Sequence, residues 1–133
     1  MAKSLGRHLI VELFGCDRSR LNDEDQLRTY SVAAAEAMGA TVIGVYSHRF
    51  SPVGVSVVVV LAESHLAVHT WPEHRAASLD VFVCNPAIDP IQAKNHLADH
   101  LKAEQSSELE LERGKLGEMQ RGSWRHEKLT SSL

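Results

Sequence analysis

With 133 residues, 44% of them apolar and 23% charged, the chain has the balance of one globular domain with a modest core. A formal net charge of −3 excludes the basic footprint that nucleic acid requires. The longest apolar run, Val57 to Ala62, is strand-sized and too short to cross a membrane.

In chain order, Met1 to Arg7 lacks the apolar stretch of a signal peptide. Cys16 and Cys84 are therefore expected to be reduced thiols, and the protein to be cytoplasmic. Leu9 to Phe14 is rich in strand formers and stops at Gly15. A helix is predicted from about Asp23 to Met38, with Asn22 as its N-cap and Gly39 at its end. Strands are predicted over Thr41 to Tyr46, Ser56 to Ala62, His65 to Trp71 and Leu79 to Val83. Asp89-Pro90 opens a second helix carrying Ile91, Asn95, Ala98 and Leu101 on one face. Glu108 to Glu112 alternates strictly, as an edge strand does. This order predicts an α+β fold: a two-layer α/β sandwich, with a mainly antiparallel sheet and two helices on one face. The domain is expected to span 1–113, leaving 114–133 as a polar tail.

The unusual chemistry concentrates between Phe50 and Cys84. Ser64 and His65 directly follow an apolar strand, where a tight turn is expected. A hairpin folded through Glu63-Ser64 sets Val58 opposite His69 and Ser56 opposite Trp71. A second turn at His74-Arg75 brings Cys84 beside His65. Ser56, Ser64, His69 and Cys84 then converge, offering a hydroxyl, an imidazole and a thiol for nucleophilic and acid–base work. Taken singly, each has an ordinary reading: a turn serine, a hydrogen-bonded strand histidine, a small buried thiol. A metal site built on His65, His69, His74 and Glu73 is disfavoured. On a strand the first two histidines stand about 13 Å apart, too far for one ion.

At these residues the chain resembles the prokaryotic S-adenosylmethionine decarboxylase family. The matching stretches are Ser4 to His8, Phe14 to Asp17, Phe50 to Ser56, Ala62 to Leu66, His69 to Glu73 and Asp80 to Cys84, within residues 4 to 113. The resemblance implies a proenzyme cut between Glu63 and Ser64 into fragments 1–63 and 64–133. Ser64 would attack the Glu63 carbonyl, and elimination and hydrolysis would leave a pyruvoyl cofactor at position 64. His69 would move protons during processing, with Ser56 assisting. The pyruvoyl ketone would form a Schiff base with the substrate and accept the electrons freed as carbon dioxide leaves. Cys84 would return the proton. Phe50, Trp71 and Glu73 would select S-adenosylmethionine, the first two by stacking on adenine and the third by holding the ribose hydroxyls. The product would be the aminopropyl donor for spermidine, and the working unit a homodimer.

The chain departs from the family at His74-Arg75-Ala76, where an aromatic residue and a glycine are expected. Arg75 adds a cation that either faces solvent or meets a substrate carboxylate. The rival reading is thus a pyruvoyl-dependent arginine or ornithine decarboxylase. A binding module that never cleaves is opposed by intact Glu63-Ser64, His69 and Cys84.

Overall fold

The computed structural model describes residues 4–117 and 121–129. Its strands are β1 (Gly6–Phe14), β2 (Val42–Arg49), β3 (Val55–Leu61), β4 (Ser64–Trp71), β5 (Ala76–Val83) and β6 (Gln105–Arg113). They form one sheet in the order β2-β3-β4-β5-β1-β6, every neighbouring pair antiparallel. The helices are α1 (Arg18–Leu21), α2 (Glu24–Ala37) and α3 (Pro90–His100). The expected two-layer α+β sandwich is present, with α1 as an added single turn whose four residues are too few to show a period.

Period-two alternation builds the core. Val55, Val57, Val59 and Leu61 of β3 point to the same face as Leu66 and Val68 of β4, Leu79 and Val81 of β5, and Leu9 and Val11 of β1. Leu27, Ala34 and Ala35 of α2 and Ala93 and Leu97 of α3 close over them. The N-cap of α2 is Asp23, whose side chain accepts from the Gln26 amide. Asn22, the expected cap, accepts instead from the Gly54 amide at 3.0 Å and ties the β2–β3 connection to the helical layer. The strand expected over Glu108 to Glu112 lengthens to β6. Glu108 meets Lys94 at 3.1 Å and Glu110 meets Arg7 at 3.6 Å, so charge guards this sheet edge.

The second face of the sheet has no layer over it among the described residues. Ile10, Val58, Val60 and Phe82 on that face are half-buried, and Tyr46 and Leu109 at its margins are exposed. In the expected tail, residues 121–129 form no helix or strand, and 118–120 and 130–133 lie outside the described residues. No helix among the described residues is long and apolar enough to cross a membrane.

Two side-chain clamps hold the layers in register. The first is His100 at the end of α3, 4% exposed, stacked on Tyr30 of α2 with ring centroids 3.6 Å apart. Arg20 of α1 donates to His100 Nδ1 at 3.0 Å and to its carbonyl at 3.2 Å. Burial first, then the charges of Arg20 and His96, hold His100 below its ordinary value of 6.5, against weaker opposing pulls from Asp23 and Asp99. The second clamp is Arg75, at φ 51° and ψ 42° in the left-handed region. Its Nε donates to the Cys16 carbonyl at 2.9 Å, and its own carbonyl accepts from the Cys16 amide at 3.0 Å. The guanidinium also lies 3.8 Å from Glu104. Arg75 thus braces the turn after β4 against the corner after β1.

Two expectations follow. A histidine whose folded value is depressed stays neutral in the fold, so the unfolded chain binds more protons as pH falls. Its contribution is complete above 6.5 and is lost below it. Melting temperature should fall from about pH 7.5 to about pH 5, with a shallower slope in His100→Phe, because the titrating ring is gone. Equal slopes would rule His100 out. At position 75, glycine relieves the left-handed backbone while alanine keeps the strain, and both lose the guanidinium. Urea unfolding should find Arg75→Gly more stable than Arg75→Ala by about 1 kcal/mol.

Candidate active site

The β3–β4 hairpin turns through Ala62 and Glu63 alone, since Leu61 pairs with Ser64. Such a tight reversal forces an unusual backbone, and Ser64 takes it with φ at 136°. A side-chain-bearing residue there carries strain on the order of 1–3 kcal/mol, held only where its surroundings dictate the conformation. Those surroundings are specific. Glu63 Oε1 accepts from the Thr41 amide at 3.0 Å, and the Ala62 amide donates to the Thr41 carbonyl at 2.9 Å. The Glu63 carbonyl accepts twice from Cys84: from its amide at 3.0 Å and from its thiol at 3.2 Å. Two converging donors on one carbonyl are the arrangement that stabilises negative charge on that oxygen.

Ser64 Oγ lies 3.3 Å from His65 Nδ1. The His65 ring meets Phe82 edge to face, centroids 5.9 Å apart, and Phe82 lies under the Arg113 guanidinium. Cys84 itself is exposed and unbridged. Glu63, Ser64, His65 and Cys84 therefore form one cluster at one end of β4.

A second cluster occupies the other end. Ser56 pairs with His69, and Ser56 Oγ lies 2.8 Å from His69 Nδ1. Donation of an Nδ1 proton to Ser56 would leave His69 Nε2 with its lone pair. A cavity of about 360 Å³ opens here, lined by Phe50, Val53, Ser56, His69, Trp71 and Glu73 among others. Phe50 and Trp71 are 47% and 43% exposed, offering free aromatic faces. Glu73 makes no ion pair or hydrogen bond with any described residue. Buried Thr70 forms the floor: its Oγ1 accepts from the Val55 amide at 2.9 Å and donates to the Leu21 carbonyl at 2.7 Å. A Cβ at Gly54 would stand 3.3 Å from the Thr70 carbonyl, and φ of 111° there also favours glycine. An adjoining groove of about 640 Å³ reaches Arg18 and Asn22 and shares Val53 and Glu73.

The expected convergence of Ser56, Ser64, His69 and Cys84 within one chain does not occur. Positions 64 and 69 are five residues apart on β4, roughly 16 Å. The registers also differ from those expected. Ser56 faces His69 rather than Trp71, and Val83 rather than Cys84 is the strand partner nearest the hairpin. Each turn is centred one residue earlier than expected, which moves every pairing by two. Phe50, Trp71 and Glu73 do come together, with Ser56 and His69. Sequence reasoning left two contacts out: His65 against Ser64, and both Cys84 donors on the Glu63 carbonyl. Adjacency in sequence was the available signal for the first. Arg75 leaves the substrate question, because its guanidinium is committed to Cys16, Gly15 and Glu104.

Comparison with known proteins gives one answer. Residues 7–114 match the family model described as S-adenosylmethionine decarboxylase. A protein of Caldicellulosiruptor saccharolyticus named S-adenosylmethionine decarboxylase proenzyme is 48% identical over 111 residues, 84% of this chain and 90% of its own. A Thermotoga maritima protein of the same name is 45% identical over 117 residues, 88% of this chain and 90% of its own. The crystal structure of the adenosylmethionine decarboxylase from Aquifex aeolicus superposes with a TM-score of 0.79 at 31% identity, covering 91% of this chain and all of that one. By matched length, identity and fold together, this chain belongs to the S-adenosylmethionine decarboxylase family.

Proposed function

We propose that the chain is a proenzyme that cuts itself between Glu63 and Ser64 and then decarboxylates S-adenosylmethionine, making the aminopropyl donor for spermidine. The single observation that carries this reading is the Glu63 carbonyl, held by the amide and thiol of Cys84 beside a strained Ser64. As Ser64 Oγ adds to that carbonyl, charge grows on the oxygen that Cys84 already grips. Collapse breaks the peptide C–N bond and leaves an ester between Glu63 and the Ser64 oxygen. Loss of the Ser64 Cα proton expels Glu63 as a carboxylate, and water converts the remaining dehydroalanine to a pyruvoyl group with release of ammonia. The products are fragments 1–63 and 64–133.

The residues present fit that group. It would head β4, whose pairing with β5 continues directly behind it at His65 and Phe82. In place it supplies the electrophilic ketone that accepts electrons as carbon dioxide leaves. The exposed Cys84 thiol is the acid within reach of the same turn, suited to returning a proton to product. Phe50 and Trp71 offer stacking faces for adenine and favour a nearby sulfonium cation, and unpartnered Glu73 suits the ribose hydroxyls. Arg75 is not available to anchor a plain amino-acid carboxylate, so arginine and ornithine are not favoured. The free thiols of Cys16 and Cys84 support a cytoplasmic location.

A second copy completes the site. The two clusters lie at opposite ends of β4, and the uncovered face holds half-buried Ile10, Val58, Val60 and Phe82. A two-fold axis parallel to that face and perpendicular to β4 at its middle sets one chain's Ser64 end over the other's Ser56–His69 end. This supports a homodimer in which each site draws on both chains.

Ser64→Ala should remain a single band on denaturing electrophoresis, since alanine has no nucleophilic oxygen. His69→Ala alone should also stay uncut, yet be cut when co-expressed with Ser64→Ala, because the mixed dimer has one complete site. A co-expressed pair that stays uncut would remove the two-chain site, and cutting of His69→Ala on its own would remove His69 from processing. Trp71→Ala should raise KM for S-adenosylmethionine roughly tenfold to a hundredfold, from stacking worth about 1–3 kcal/mol per base. Measured carbon dioxide release that prefers arginine or ornithine would overturn the substrate.

A further inference from the structure

Self-cleavage removes two protons from different atoms of Ser64. The hydroxyl proton leaves as Oγ attacks, and the Cα proton leaves when the ester eliminates. His69 cannot take the first within its own chain, standing roughly 16 Å along β4. Among the described residues, the side-chain nitrogen hydrogen-bonded to Ser64 Oγ is His65 Nδ1, at 3.3 Å. The imidazole is held in place. It is half-buried, pairs through its backbone with Val60 and Phe82, and rests its ring against the Phe82 edge or face at 77°. Phe82 is braced in turn by the His8 ring and the Arg113 guanidinium. A histidine that accepts at Nδ1 carries its proton on Nε2 and is a base toward the serine hydroxyl.

We propose that His65 is the general base of the first step, acting within its own chain. The inference rests on the self-cleavage reading above. The atoms balance without an added reagent. Ser64 Oγ bonds to the Glu63 carbonyl carbon, its proton passes to His65 Nδ1, and the C–N bond breaks. The proton then moves from His65 to the leaving Ser64 nitrogen. The step is an isomerisation, and His65 returns to its starting form.

The experiment follows cutting of freshly translated chain by denaturing electrophoresis, with hydroxylamine at neutral pH to cleave any ester. His65→Gln and His65→Phe are used together, the second keeping a ring against Phe82, and circular dichroism identifies which are folded. A folded variant should cut about a hundredfold more slowly or worse, the usual worth of a placed base. Its uncut chain should resist hydroxylamine, since it is still an amide. A folded His65 variant that cuts at the parental rate, or that accumulates ester, overturns the assignment. Cutting of Ser64→Ala would overturn the self-cleavage reading itself, so the two failures are distinct.

Discussion

The Glu63 carbonyl, held by the amide and thiol of one cysteine, sets the demands that the rest of the chain meets. Both donors come from the first residue beyond β5, so β5 must lie beside β4 and end level with the hairpin. That register, in turn, requires a four-residue turn from Pro72 to Arg75, and a left-handed residue closes it. The hairpin must reverse in two residues, which throws the positive φ onto Ser64. Thr41 then anchors both loop residues from outside the hairpin. Strain at Ser64 is thus maintained by ordinary sheet hydrogen bonds, each modest and together sufficient.

The antiparallel sheet also acts as a spacer between two chemistries. At one end of β4 sit the Glu63–Ser64 bond, the Ser64 hydroxyl and the two Cys84 donors. At the other sit aromatic faces, a free carboxylate and an oriented imidazole. Separating them keeps each group in a simple environment within the monomer. In the proposed homodimer each site would be assembled from pre-formed halves, with little side-chain ordering left to do. The helical face carries the opposite duty, and the clamps at His100 and Arg75 lie away from the Glu63–Ser64 bond.

Much of this was legible in the sequence. Alternation marked the strands, Asp89-Pro90 marked α3, and the run from Glu63 to Glu73 marked the chemistry. The pairing registers were not, because the hairpin loop carries no glycine or asparagine to say which two residues turn. Moving a turn centre from Glu63-Ser64 to Ala62-Glu63 changes every partner on the strand. A left-handed or otherwise strained serine has no compositional signature either. The convergence of Ser56 and His69 on Ser64 failed for a deeper reason. Five residues of extended strand separate positions 64 and 69 whatever the pairing register. Long-range clamps such as Arg75 on Cys16, 59 positions apart, depend on packing that periodicity does not encode.

The strand order has a mechanical consequence for a nicked protein. The fragment ending at Glu63 would own β1, β2 and β3, and the fragment starting at Ser64 would own β4, β5 and β6. In the sheet, β1 lies between β5 and β6, so the two pieces are interleaved rather than side by side. Neither piece can slide away without tearing out an interior strand and opening the shared core. Separation and unfolding therefore become the same event. A cut chain would persist as one body for as long as it stays folded, but once melted it would have to find its other half by collision.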